Sequence, residues 1–319
     1  MEAVIIDGMA FALPLFIMAI GGIYSEKSGI TNLALEGFQG VGAFTGALAV
    51  VLIDHFTKFD AQQLFYVALI FAMLGGMAFS IIHAVLCIRF KADQVISGVV
   101  INILAIALTT FFTAQINALV FGTPSDRFLL GVSERFTVEG LADLPFLGAF
   151  FTNVYPFEVI ILVVALFASY LLYKTKFGMR LRASGENPHA VDAAGVDVQK
   201  IRYTAVLLSG LFSGLGGICF AYSISAAFSS SIYLGYGFLA IAALIFGNWR
   251  IGPTFIACLL FGFARSGGMY LALQMQLSSS YMDLFMTLPY ILTLLLLVFF
   301  SKSNRAPRAL GEIYDKGKR

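Results

Sequence analysis

The sequence predicts an all-α polytopic helical membrane protein of about 8–10 transmembrane or re-entrant helices, and three observations predict it. Hydrophobic residues fill 59% of the 319 positions and charged residues only 12%, whereas a soluble domain is roughly a quarter charged. Apolar runs near the length that crosses a hydrocarbon core, about 20 residues, recur from one end of the chain to the other. The period-two alternation of an outer-membrane barrel is absent.

Apolar length set against polar breaks places spans at 5–23, 37–53, 64–88, 95–120, 156–173, 203–221, 236–247, 252–270 and 283–300. The first begins with Glu2 and Asp7 and has no basic leader, so it reads as a mature span and not as a secretory signal. The run 236–247 is too short to span alone, and the break 24–36 contains apolar residues. Either suits a re-entrant or interrupted helix, which survives at membrane depth only where protein buries it or it lines a cavity.

Orientation follows from Lys and Arg. The Arg89–Lys91 loop, the segment 174–202 and the tail 302–319 together hold fourteen of the twenty basic residues, and the intervening spans put all three on one side. The positive-inside rule makes that side cytoplasmic. The loop 121–155 then faces outward and leans acidic through Asp126, Glu134, Glu139 and Asp143. A net charge of +2 excludes nothing sharper than nucleic-acid binding. Cys87, Cys219 and Cys258 each stand alone in apolar runs and His55, His83 and His189 are scattered, so all six read as packing or surface residues rather than metal ligands.

Small residues at intervals of three and four, Gly42 with Gly46 and the run Ser209, Gly210, Ser213, Gly214, Gly217, predict helices in close backbone contact. "LEGFQGVGAFTGAL" from Leu35 and "LGYGFLAIAALIFG" from Leu234 echo one another faintly, as the repeated halves of transporters do.

The stretch "RASGENPHAVDAAGV", Arg182 to Val196, is polar and tightly punctuated. Asn187 suits an N-cap, Pro188 the first helical position and Gly195 a left-handed terminus, so a helix of about two turns is specified in a basic loop. So short a helix is marginal alone and needs a surface to pack on.

Two runs carry a family resemblance: "GMRLRASGENPHAVDAAGVDVQKIRYTAVLLSGLFSGLGG", Gly178 to Gly217, and "GGIYSEKSGITNLALEGFQGVGA", Gly21 to Ala43. The first resembles the cytoplasmic coupling segment and following helix of permease subunits of bacterial ATP-binding-cassette importers, in the ribose, nucleoside and branched-chain amino acid permease superfamily. The second is similar to that superfamily's amino-terminal pattern in its nucleoside-type form. The resemblance implies a single permease domain, 1–319, with 174–202 as coupling loop and 302–319 as cytoplasmic tail, in the bacterial inner membrane. It implies partners: a separate ATPase subunit that binds the ATP, a second permease subunit, an extracytoplasmic solute-binding protein and the bilayer. Gly185, Asn187, Pro188, Ala194 and Gly195 would shape the docked element, with Arg180, Arg182, Glu186 and Asp192 setting its register. Cargo would be a nucleoside, or alternatively riboflavin or a simple sugar. No GxxxxGK[ST] pattern occurs in the chain, no catalytic constellation is visible, and no cofactor is expected within it.

Polar groups inside spans are the candidates for the substrate pathway. Asn32, Glu36 and Gln39 form a stripe at spacings of four and three, read either as pathway lining or as a carboxylate capping the helix near Gly37. Asn102 reads as glue between helices or as a cargo contact. Tyr222, Ser223, Ser225, Tyr233 and Tyr236, with Phe228 and Phe238, form a Ser/Tyr-rich segment that would stack on a ring or form an interfacial belt. Tyr236 and Phe238 are its pathway candidates. Trp249 and Arg250 read as an interfacial anchor. Apart from Glu36 the spans are expected to lack an ionisable residue, which argues against an ion-coupled secondary transporter.

Overall fold

The computed structural model describes residues 2–317 apart from 58, 146, 277–283 and 301–304. Asp283 and the tail residues Lys302, Lys318 and Arg319 therefore lie outside the described residues. The helices are α1 (Glu2–Lys27), α2 (Leu35–Phe56), α3 (Ala61–Ala84, continuing through a π turn over Val85–Arg89), α4 (Gln94–Val120) and α5 (Pro156–Lys174). They continue with α6 (Lys176–Glu186), α7 (Pro188–Ala193), α8 (Val198–Ile224), α9 (Tyr236–Phe246), α10 (Ile251–Gln274) and α11 (Leu288–Phe300). Each expected span has its helix, and among the described residues seven helices are long and apolar enough to cross a bilayer.

The small-residue faces do what their spacing predicts. A Cβ on Gly42 would run into the Gly214 backbone, one on Gly76 into the Gly210 carbonyl and one on Gly46 into the Ala68 carbonyl, so α2, α3 and α8 touch main chain to main chain. Helices cannot rely on the hydrophobic effect to associate in lipid, and close backbone approach with its dispersion contacts supplies the attraction instead. Cys87, Cys219 and Cys258 are buried and free, as packing residues.

Helix α1 runs antiparallel to α8, with Phe11 against Phe220 and Tyr24 against Phe212. The segment α6–α7, Lys91 and the tail gather at one end: Lys91 pairs with Asp315 at 2.9 Å, Lys316 with Asp192 at 3.6 Å, and the Ala309 N–H donates to the Gly185 carbonyl at 2.8 Å. We call this the basic end. The start of α1 lies at the opposite, loop end, where the Tyr270 hydroxyl donates to Asp7 at 2.8 Å.

The acidic loop is also at the loop end and carries strand β1 (Arg127–Leu129), which pairs antiparallel with β2 (Ala227–Ser229). Phe44 of α2 packs on Phe128 and Phe228, one from each strand. This short ladder is absent from the sequence reading. From it the chain descends into the bundle, and α9 begins at mid-depth after Gly235, whose φ of +89° suits only a residue without a Cβ. Eleven residues give α9 a length of about 16 Å, half a membrane, and the turn after it reaches the basic end, where Asn248 Oδ1 accepts from Arg305 N–H of the tail, so 227–247 is an interrupted crossing and not a re-entrant one.

Two expectations are corrected here. Trp249 is 5% exposed, and its indole N–H donates to Glu26 of α1 at 2.5 Å. It is therefore a lock between the α9–α10 turn and α1, not a lipid-facing anchor. Tyr222 and Tyr233 are likewise buried, which removes them from an interfacial belt. Tyr233 lies over Gly40, with its hydroxyl 2.9 Å from Thr109 Oγ1.

Candidate functional site

The break between α1 and α2 is irregular backbone buried in the bundle, so its polar groups need partners from elsewhere. Asn102 of α4 supplies two: its Nδ2 donates to the Leu33 carbonyl at 2.8 Å and its Oδ1 accepts from Gly37 N–H at 2.8 Å. Gln94 accepts from Thr31 N–H at 2.6 Å, and His83 Nε2 lies 3.2 Å from the Thr31 carbonyl. Asn32 accepts from Ala34 N–H at 3.0 Å and donates to Ser209 of α8 at 2.8 Å. Asn102 thus joins helices as one of its two readings expected. Asn32 precedes α2 and is not helical, so its four-residue spacing to Glu36 is not a helical stripe.

Glu36 lies in the first turn of α2 and reaches across to a different helix. Its Oε2 accepts from Gly235 N–H, at the N-terminus of α9, at 2.8 Å. The two helices that echo each other in sequence therefore begin at a shared point, and a carboxylate there is favoured by both N-terminal dipoles. One turn further, Gln39 is buried with both side-chain polar atoms unpartnered among the described residues, as is Ser213 Oγ on α8. Gln39 lies against Gly217 of the same α8 face. Unsatisfied buried amides are rare and costly, which sets this seam apart from the paired break beside it.

Tyr236 stands beyond the seam, edge-on to Phe11 at 5.1 Å and 4.8 Å from Phe220. The structure brings Asn32, Glu36, Gln39, Asn102 and Tyr236 to one interior region. Phe238 does not join them: it is 48% exposed on the outside of this chain.

At the basic end, Asn187 caps α7 by accepting from Ala190 N–H at 3.0 Å, and Pro188 is its first residue. Ala194 is the C-cap and Gly195 has φ +78°, so the two-turn helix ends as its residues predict. What the sequence reading missed is α6, a separate helix capped by Thr175, whose Oγ1 accepts from Gly178 N–H at 3.1 Å. Its buried side holds Gly178, Leu181, Ser184 and Gly185, so few large apolar residues mark it. Small ones permit contact instead: a Cβ on Gly185 would strike the Lys27 carbonyl at the end of α1.

The α6 helix is tied to the buried break. Ser28 O accepts from Ser184 Oγ and from Arg202 Nε, each at 3.1 Å. The tail closes the arrangement, since Gly311 N–H donates to Gly29 O at 3.1 Å and Arg202 donates to Glu312 O at 3.2 Å. Glu186 pairs loosely with Arg308 at 3.9 Å. Beside α7 a cavity of about 480 Å³ is lined by Asp192, Gly195, Asp197, Tyr314 and Lys316 among others. Burial and the nearby Asp192 carboxylate raise the Tyr314 phenol above its usual range, and the Lys200 backbone N–H holds the Asp197 carboxyl below its own.

The expectation that Glu36 is the lone ionisable group within the spans is overturned. Glu26 and His83 are buried inside α1 and α3, and Asp7 and Arg265 lie within α1 and α10. Arg265 was legible as a charge within 252–270 but was masked by the apolar average of that run.

The family model described as branched-chain amino acid transport system / permease component matches residues 4–299. The chain belongs to this family. The permease is 40% identical to the guanosine ABC transporter permease protein NupQ of Bacillus subtilis (strain 168), over 98% of its own length and 96% of that protein's. It is 34% identical to the nucleoside ABC transporter permease protein NupC of Lactococcus lactis subsp. cremoris (strain MG1363), covering 100% and 98% of the two chains. A more distant relative, the guanosine ABC transporter permease protein NupP of the same B. subtilis strain, shares 26% identity over 95% of this chain and 82% of that one. No solved structure matches the permease. It is a multi-pass membrane transport subunit.

Proposed function

We propose that this permease is one half of a mixed permease pair in a nucleoside importer, moved by separate ATPase subunits that dock on α7. The observation that carries the cargo is end-to-end likeness to a guanosine permease and a nucleoside permease. The mixed pair is supported by a single B. subtilis strain having two distinct proteins named as guanosine permeases, of which this chain is much nearer to one, at 40% against 26%. The chain has no Walker pattern, so the ATP is bound by the partner subunit.

In this reading the basic end is cytoplasmic, in keeping with its Lys and Arg, and the loop end receives a solute-binding protein on the acidic loop. Closure of the ATPases displaces α7. Its Asn187–Pro188 junction with α6 is short, so α6 follows, and with it Ser28 and Gly29. The break is continuous with the Asn32–Glu36 junction, whose contacts to α4, α8 and α9 have two arrangements in a cycle of alternating access. Gln39 and Ser213 would gain partners from solute in one of them.

The test is reconstitution of the permease with its second permease, ATPases and binding protein in vesicles, followed by uptake of tritiated guanosine. Accumulation that requires ATP on the α7 side supports the proposal. Accumulation by this chain alone in a proton or sodium gradient sinks the mechanism, and import of riboflavin or a sugar without any nucleoside sinks the cargo.

A further inference from the structure

Helix α10 carries a guanidinium where a span ordinarily carries no charge. Arg265 Cζ lies 4.6 Å from the Phe11 ring centroid, a cation held on an aromatic face. Two adjoining cavities, of about 290 Å³ and about 200 Å³, share Phe11, Arg265 and Met286. The first is also lined by Asp7 and Ser223, the second by Tyr236 and Tyr290. Together they fall within the ~300–1,000 Å³ of small-molecule sites. The hollow lies toward the loop end, directly beyond the Gln39–Ser213 seam, because Tyr236 and Phe220 pack on the same Phe11.

The donor set is specific. Phe11 fixes the guanidinium through its face and leaves the planar N–H fork at the edge. Such a fork matches two adjacent acceptors in one plane. The O6 and N7 edge of a 6-oxopurine offers that pair, whereas adenine sets an amino donor beside N7. Tyr236 and Tyr290 supply ring faces for the base. Asp7, steadied by the Tyr270 hydroxyl, and Ser223 supply an acceptor and a hydroxyl suited to ribose.

We propose that Arg265 is the specificity residue of a nucleoside site in this hollow, selecting 6-oxopurine nucleosides over adenosine and pyrimidine nucleosides. The proposal rests on the nucleoside-import reading and goes beyond it by naming the base class and the residue that reads it.

A binding protein has its own selectivity, so the decisive measurement uses the purified permease–ATPase complex without it. Bound tritiated guanosine is competed by inosine, adenosine and uridine. Wild type should rank guanosine and inosine at least about tenfold ahead of adenosine and uridine, the discrimination one bidentate pair commonly gives. Arg265→Gln should erase the ranking. Arg265→Lys keeps the charge without the fork and should also lose most of it, which serves as the readout if the glutamine variant does not assemble. Tyr236→Leu should weaken all four nucleosides alike. A ranking preserved in either Arg265 variant, or equal losses for all four nucleosides, would show that Arg265 merely braces α10 on α1 and would overturn the proposal. If the full assembly imports no nucleoside at all, the import reading falls and takes this proposal with it; import with an unaltered ranking sinks the proposal alone.

Discussion

The basic end and the loop-end hollow are built from different materials. Around α6 the contacts run through main chain: Gly185 to Ala309, Gly29 to Gly311, and Ser28 as acceptor for two neighbours. Around Arg265 they run through side-chain rings and a cation. Backbone contacts between close-packed small residues are stiff, because little can rotate to absorb a displacement. Side-chain walls adapt to what enters. In the function proposed above, the difference separates force from recognition along the chain, with the polar junction at Glu36 between them.

The sharpest way to break the comparison lies within the coupling element itself, where two glycines ten residues apart do opposite things. Gly185 has no room, since an added Cβ meets the Lys27 backbone; Gly195 faces open space. Gly185→Val should wedge α6 off α1, abolish uptake and lower the yield of assembled transporter on gel filtration. Gly195→Val should assemble normally, with a local left-handed strain of about 1–2 kcal/mol, and yet hydrolyse ATP without importing, because in the proposed function the open face it alters receives the ATPase. Equal behaviour of the two variants would remove the distinction between the internal brace and the docking face.

A smaller effect is expected at the junction. Glu36→Ala leaves Gly235 N–H without its acceptor in a buried place, at a cost of about 1–3 kcal/mol, and uptake should fall roughly tenfold for every 1.4 kcal/mol by which the productive arrangement is disfavoured. Glu36→Gln retains an acceptor oxygen and should keep most of the activity. A glutamine variant as inactive as the alanine one would instead give the negative charge itself a role in transport.

These same residues show what a sequence discloses. The α7 helix was legible because its signals are local: an N-cap, a proline and a left-handed glycine within nine positions. The nine apolar runs were legible for a similar reason, being lengths. Helix α6 was not, since the features that define it, Gly178 and Gly185, acquire meaning only beside the Leu172 and Lys27 carbonyls that they approach. Asn32 and Glu36 were singled out correctly as buried polar residues, but their spacing suggested one helix. In fact the chain is broken between them, and each is answered by a segment about 180 to 200 residues away, at Ser209 and Gly235. Partners that distant leave no mark on local pattern, and an interrupted crossing that turns Tyr233 inward looks, in sequence, like any aromatic belt.

The smallest effect tests whether the basic end owes anything to its surface charges. Asp197 caps α8, its carboxylate accepting from Lys200 N–H at 3.0 Å, and its pairing with the Lys200 ammonium at 3.5 Å is largely exposed. A carboxyl held below its ordinary value contributes stability that is complete above that value, 3.8, and is lost as pH falls through the lower folded one. Asp197→Ala should therefore lower the stability of the detergent-solubilised complex by about 1 kcal/mol at neutral pH, the usual cost of a lost cap, with the gap to wild type constant down to pH 5 or so and narrowing only in stronger acid. Asp197→Asn, which can still accept the backbone N–H, should lie close to wild type at pH 7. Added salt separates the two contributions: an exposed ion pair is screened and a short backbone hydrogen bond is not. A gap that survives molar salt assigns the stability to the cap, and one that vanishes with salt would mean that charge, rather than backbone geometry, holds the start of α8.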